Sequence, residues 1–415
     1  MTSTQDLARV GEPIDLFYYD AETSRKQAFP TTVNTKYIQS FQNLTGGSQV
    51  FTVPPNSGVQ DVIVSMAFPG SATQTGLALP QGWGYSLIKQ VSFRYGGSSA
   101  YFISGDQILQ NALRRQPSRS TANDLLNLGG NFASSGTAPD LSVAQQANVV
   151  LVLPHATPSG VGKAQPFPSD LLTQQIQITV ELYPVAQIWT TSTGGGLPPT
   201  SLASGQFQVQ QVVLNNAGDS LARRVDMSVN AYAYPCEFVQ QVQRISLANT
   251  ASSQSVVLTG FRSGEVKAIH CWLSRDSETG LNTLAGTGAQ VNDTVIPFKW
   301  YLPSSVQMTY AGDVYARYEA ASSPLWNLLN GDKSPAVDSQ SIVVGTPPVS
   351  SAFLAQWVEL PFAQTLIDCD QNTVLVHGRP ITNGICNLQI TAPSAQADWT
   401  LNVSYIYNTT LLMSQ

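Results

Sequence analysis

The chain has 415 residues, 42% of them hydrophobic, which is too long for one ordinary core and apolar enough to build two or three. Only 11% are charged, against about 25% in a typical globular domain, and Ser, Thr, Gln, Asn and Gly fill the gap. With a net charge of −6 and no Lys/Arg-rich arm, the chain lacks the clustered basic face that direct nucleic-acid binding needs. Arg114, Arg115 and Arg119, the nearest candidate, read as a solvated helix end. A polar, weakly charged surface suits either a chain covered by copies of itself or an extended β-rich secreted protein.

Residues 1–29 are mixed polar without a clear period and read as an N-terminal extension, ordered only if something packs on it. They contain no apolar core of a secretory leader, so no signal peptide is expected. From about residue 36 short β-branched runs alternate with Pro, Gly, Asn and Ser. Strands are predicted at 48–53, 59–68 and 87–95, the last with Val91, Phe93 and Tyr95 alternating before a Gly-Gly turn. GDQILQNALRR (105–115) predicts a helix, with Ile108, Leu109, Ala112 and Leu113 on one face, Asp106 near its start and two arginines at its end. Strands follow at 148–154 and 173–184.

TTSTGGGLPPTSLASG (190–205) has no charge and reads as a linker near the chain's midpoint. Beyond it, strands are predicted at 254–261, 266–273, 294–302, 306–310, 356–361, 387–391 and 399–409. SSPLWNLL (322–329) predicts a short helix, with Ser323 at the cap and Pro324 at the first helical position. No apolar run approaches the ~18 residues of a membrane span.

The halves repeat in order. SGVQDVIVS (57–65) matches SGEVKAIHC (263–271), VSFRYGG (91–97) matches VQMTYAG (306–312), VLVLPHA (150–156) matches WVELPFA (357–363), and IQIT (176–179) matches LQIT (388–391). The offsets run from 206 to 215 and indicate duplication. MSVNAYAY (227–234) against LNVSYIYN (401–408) drops the offset to 174, so 38 extra residues fall in the first copy (212 − 174). The Gly/Pro stretch then lies inside the first sandwich, in an insertion of about 185–222 before its last strand. The joint between copies moves to about Pro235–Phe238, and residues 223–234 are expected to pair in the first sandwich.

Two tandem sandwiches, each with a strand–turn–strand–helix unit, resemble the double jelly-roll major capsid proteins of the tectivirus, adenovirus hexon and nucleocytoplasmic large DNA virus lineage. The resemblance rests on FVQQVQ (238–243) leading to GEVKAIHCWLSR (264–275), and on NGICNLQIT (383–391) followed by WTLNVSYIYNTTLLMS (399–414). It is one of pattern with few identities, and it implies an all-β fold of two tandem eight-stranded jelly-roll sandwiches with short helices in the loops. The division expected is an extension at 1–29, a first jelly roll at 30–236 and a second at 237–415. The family implies a homotrimer with a pseudo-hexagonal outline that contacts neighbouring capsomers and minor capsid or penton proteins, builds an icosahedral shell, and resides in the virion. An internal membrane is a further partner of the family; Arg9, Arg25, Lys26 and LFYYD (16–20) either face its headgroups or form a solvated or neighbour-bound arm.

No catalytic, cofactor-binding or metal site is expected. His155, His270 and His377 lack metal-ligand spacing, and there is no G-x-S-x-G elbow or phosphate loop. Glu181 and Glu359 could form a hydrolytic carboxylate pair but are equally explained as polar-face strand residues. Cys236, Cys271, Cys369 and Cys386 make no C-x-x-C and read as buried free thiols. Sequons at Asn43, Asn292, Asn402 and Asn408 matter only in a secretory compartment. The rival function is carbohydrate binding by a phage fibre or surface lectin, with Trp189, Trp326 and Trp357 as stacking platforms; core positions suit Trp326 and Trp357 better.

Overall fold

The computed structural model describes residues 18–21, 25–28, 31–53, 58–74, 77–79, 82–95, 101–114, 125, 128–130, 141–151, 167–169, 175–187, 191–192, 199–214, 232–248, 253–260, 265–275, 300–320, 357–362, 379–381, 384–394 and 399–413. Strands β1 (Tyr18–Ala21) and β2 (Arg25–Ala28) pair only with each other, inside the region read as an extension. The first sandwich is built from β3 (Thr31–Ser40), β4 (Gly47–Val53), β5 (Gly58–Phe68), β6 (Leu77–Ala78), helix α1 (Trp83–Leu87), β7 (Ile88–Tyr95), β8 (Tyr101–Ser104), helix α2 (Gly105–Arg114), β9 (Gln145–Leu151), β10 (Phe167–Pro168), β11 (Ile176–Leu182), β12 (Thr191–Ser192) and β13 (Ser204–Leu214). The second comprises β14 (Tyr232–Ser246), β15 (Gln254–Val257), β16 (Glu265–Arg275), β17 (Ser305–Tyr310), β18 (Asp313–Glu319), β19 (Val358–Pro361), β20 (Arg379–Pro380), β21 (Cys386–Thr391) and β22 (Trp399–Met413).

Each sandwich faces one sheet of five strands with one of four, all antiparallel. In the first the orders are β10-β5-β13-β3, with β9 also on β5, and β4-β11-β7-β8; in the second they are β14-β22-β16-β19, with β20 also on β16, and β15-β21-β17-β18. Strand for strand the two are the same topology, and four of the sequence repeats fall on equivalent strands: β5 with β16, β7 with β17, β9 with β19 and β11 with β21.

The alternation that sequence reading relied on is what fills the cores. On β11, Ile176, Ile178, Val180 and Leu182 point inward and the residues between them are half-exposed. The two sheets meet through Phe51 of β4 stacked on Phe207 of β13, ring centroids 4.5 Å apart. Phe41 tilts onto Phe207 at 5.0 Å, and its ring fills the space where a side chain on Gly205 would sit. Each such fully buried aliphatic or aromatic side chain contributes about 1.5–3 kcal/mol through area removed from water. In the second core Ile269, Cys271 and Leu273 occupy the same inward face of β16 that Val62 and Val64 occupy on β5.

Two details tie the copies residue to residue. Both β5 and β16 carry a bulge at one extra residue, Gln60 in the first and Lys267 in the second, 207 positions apart. Gln49 of β4 clasps the backbone of Asn43, its amide donating to the Asn43 carbonyl (2.7 Å) and its Oε1 accepting from the Gln42 and Asn43 N–H groups. Gln254 of β15, 205 positions later, clasps Ala248 in the same way, both bonds at 2.9 Å.

The last strand of the first sandwich differs from expectation. It is β13, directly after the Gly/Pro stretch, and it lies between β5 and β3. The 223–234 segment does not supply that strand: Tyr232–Tyr234 open β14 and pair with Met413–Leu411 in the second sandwich. The strand also runs through Pro235–Phe238 without a break, so no joint lies there and 30–236 reaches five residues, Tyr232 to Cys236, into the second sheet system. Since Phe207 faces Val64 and Val403 faces Cys271, the true offset of the closing strand is 196, not 174. With Ile178 equivalent to Leu388, at 210, the excess in the first copy shrinks to 14 residues (210 − 196). The Gly/Pro stretch still precedes the final strand of the first sandwich, and the passage between sandwiches falls within 215–231. Residues 322–329 and most of 294–302 lie outside the described residues.

Candidate functional site

No group of three or more His, Cys, Asp or Glu side chains able to hold a metal occurs among the described residues. His270 lies on β16 with its Nε2 3.1 Å from Glu359 Oε2 on the neighbouring β19, and its ring is 5.9 Å from Trp357. Glu181 instead bonds Lys89 across β11 and β7 at 2.6 Å, an exposed pair in which the glutamate raises the lysine pKa through that bond and its charge. The two glutamates therefore sit in different sandwiches with separate partners, and no hydrolytic pair forms. Trp357 is buried against Trp300, whose ring in turn lies 5.2 Å from Trp272, which makes it core and not a stacking platform. Cys271 and Cys386 are free and buried, and burial pushes each thiol up to about 12. His155, His377, Trp189, Trp326, Cys369, Arg115 and Arg119 lie outside the described residues.

What the fold does bring together is the seam between the sandwiches, where β8 and α2 of the first abut β14 and β22 of the second. The helix starts at Gly105, where the chain runs close against α1 and the first residue of β7: a Cβ would lie 2.2 Å from the Ile88 carbonyl oxygen and 2.5 Å from that of Tyr85. That close approach sets Asp106 at the seam. Its carboxylate accepts from Ser104 Oγ and, at 3.3 Å, from Arg244 of β14. Asp106 is buried while Arg244 stays 40% exposed. Along the same helix Gln110 Oε1 accepts from Ser404 Oγ of β22 at 3.2 Å, both buried. Beside the Asp106–Arg244 contact a cleft of about 420 Å³ of mixed polar and apolar lining remains, bordered among others by Lys89, Phe102, Tyr183, Gln243 and Arg244. Burial raises the Tyr183 phenol above its ordinary value. Sequence reading named Asp106 only as a helix-start residue and missed Arg244, because the two are 138 positions apart.

The seam uses one edge of each sandwich, and among the described residues the opposite edges carry exposed side chains. On the first, β3 and β4 expose Tyr37, Ile38 and Val50. On the second, β18 exposes Val314, Tyr315 and the Arg317–Glu319 pair. No helix among the described residues is long and apolar enough to cross a membrane.

No family model matches the chain, and no curated protein does. Solved structures do. The capsid of the virus PBCV-1 aligns with TM-score 0.62 and 13% identity over 94% of this chain and 96% of that one. PBCV-1 VP54, fitted into a reconstruction of the virophage Sputnik, aligns with TM-score 0.60 and 13% identity over 94% and 97%. The Faustovirus major capsid protein aligns with TM-score 0.56 and 12% identity over 95% and 92%. At such identities the likeness is one of fold, and it covers both sandwiches in each case: the chain has the double jelly-roll fold.

Proposed function

We propose that this chain is a viral structural protein, a major capsid protein that assembles as pseudo-hexagonal homotrimers into an icosahedral shell. The observation that supports this best is the span of the likeness. The alignments span more than nine-tenths of this chain and of each capsid chain, and so take in both sandwiches, at 12–13% identity. The function on this reading is self-association: the described ion pairs Lys89–Glu181, His270–Glu359 and Arg317–Glu319 lie within one sandwich each, and Asp106–Arg244 crosses the seam. The carbohydrate reading loses its one described platform, Trp357, to the core.

On this reading the protein resides in the virion. Its partners are two further copies, neighbouring capsomers and minor or penton proteins. The N-terminal segment, with Arg25 and Lys26 on β2, faces the shell interior and any membrane there. The first jelly roll takes the chain from about residue 30 to the 215–231 passage, and the second the remainder.

Expression followed by light scattering and negative-stain imaging tests the reading. A species of three times the 44.5-kDa chain mass, with a hexagonal outline and shell-like particles at high concentration, is the expected result. A protein that stays monomeric at high concentration overturns it. Standard protein–protein interfaces bury about 1,200–2,000 Å², so a genuine trimer of this kind should survive dilution to micromolar concentration.

A further inference from the structure

We infer that the cleft at the seam binds a small organic anion, with a carboxylate or phosphate head and a compact apolar body. The site is built from this chain alone and does not rest on the capsid reading.

Donors without partners choose the head. Ser104 and Gln107 form the capping box of α2: Gln107 Oε1 accepts from the Ser104 backbone N–H at 3.1 Å and from its hydroxyl at 3.2 Å. That commits the oxygen end of the amide, and the Nε2 of this wholly buried side chain has no hydrogen-bond partner. Tyr85 of α1 borders the same cleft, and its buried hydroxyl has no partner either. Burial pushes that phenol above its ordinary value, so it keeps its proton and can donate. On the open side Arg244 presents a guanidinium with five N–H donors, of which the contact with Asp106 takes one. The acceptors are already engaged. Asp106 receives Ser104 on one oxygen and Arg244 on the other. Gln243 is held at both ends by Thr259, and Lys89 is held by Glu181. A lining with unspent donors and engaged acceptors calls for an acceptor, and the Arg244 fork fits carboxylate or phosphate oxygens.

The rest of the lining sets the body. Phe102 of β8 borders the cleft with its ring 46% exposed, and Ile88 and Ile103 line it as well. The volume, about 420 Å³, falls within the roughly 300–1,000 Å³ of small-molecule pockets and exceeds what a bare oxyanion fills. Arg244 comes from the second sandwich, and Tyr85, Phe102 and Gln107 come from the first. A bound anion therefore ties the two together.

The test is isothermal titration of the full-length chain, at fixed ionic strength, with phenyl phosphate, benzoate, inorganic phosphate and benzyl alcohol. The better aryl anion is expected to bind at least tenfold more tightly than inorganic phosphate, and its identity names the head; benzyl alcohol is expected not to bind. Arg244→Gln is expected to weaken every anion at least tenfold. The control Arg317→Gln, on β18 and outside the cleft, is expected to change nothing. Phe102→Ser, at an exposed ring, is expected to weaken the aryl anions and leave inorganic phosphate unchanged. Absence of binding by both aryl anions at millimolar concentration overturns the site, as does binding that Arg244→Gln and Phe102→Ser both leave intact. Benzyl alcohol binding as well as the aryl anions overturns the anionic head, and inorganic phosphate binding equally well overturns the apolar body.

Discussion

Two glutamines, Gln49 and Gln254, show how a duplicated chain keeps a working side chain in place. Each satisfies the N–H and C=O of a residue between two strands, so truncation leaves backbone groups without partners. Gln49 is 2% exposed and its counterpart more open. Gln49→Ala is therefore expected to cost about 1–3 kcal/mol in urea denaturation, and Gln254→Ala distinctly less, because water replaces the lost bonds there. The buried thiols make a second residue-scale case. Cys271 and Cys386 have pKa values raised from 9.0 to about 12, so the folded state binds their protons more tightly than the unfolded one. The sign follows: the stability they contribute is complete below about pH 9 and lost as pH rises toward 12. Native protein at pH 8 should leave both thiols unlabelled by a disulfide reagent, with reaction only after denaturation. Fast labelling of either in the native state would contradict their burial.

At the scale of elements, α2 depends on a close approach that only glycine permits. Gly105→Ala would drive a methyl into the Ile88 carbonyl, a backbone atom that cannot swing aside. A loss of about 1–3 kcal/mol is expected from such overpacking, read as a lowered melting temperature, along with weakened contact at the seam. This helix was legible in the sequence because its 3.6-residue periodicity and Asp106 are local signals. The strands of the repeat were legible too, since alternation survives duplication. Registers were not. A period of two looks the same after a slip of two, and AYAY at 231–234 resembles SYIY at 404–407 as well as any strand resembles another. GQFQVQQVV, the real closing strand, has inward Phe207 and Val209 between glutamines. Its proximity to GGGLPP drew it into the loop. The short α1 was missed because all five of its residues are buried, so it shows no amphipathic stripe.

At the scale of the whole molecule the seam decides whether two sandwiches behave as one body. Its one described salt bridge joins buried Asp106 to half-exposed Arg244, so screening limits its worth to about 1 kcal/mol. Arg244→Ala is expected to split a single calorimetric transition into two, with little change in the summed heat. Adding salt to the native protein should move it in the same direction, and an unchanged single transition would show that Gln110–Ser404 and the surrounding packing carry the coupling.

The loosely filled character of that seam has a meaning in terms of effective concentration. A covalent connection holds the second sandwich beside the first at roughly millimolar local concentration, whatever the concentration of protein. A junction so tethered can hold with glutamines, one ion pair and a 420 Å³ cleft. At the equivalent edge of the first sandwich the register positions of Gln240 and Gln241 are filled by Tyr37 and Ile38, both exposed. Duplication thus left two copies of one edge in different surroundings, one held beside a tethered sandwich and one carrying exposed apolar side chains.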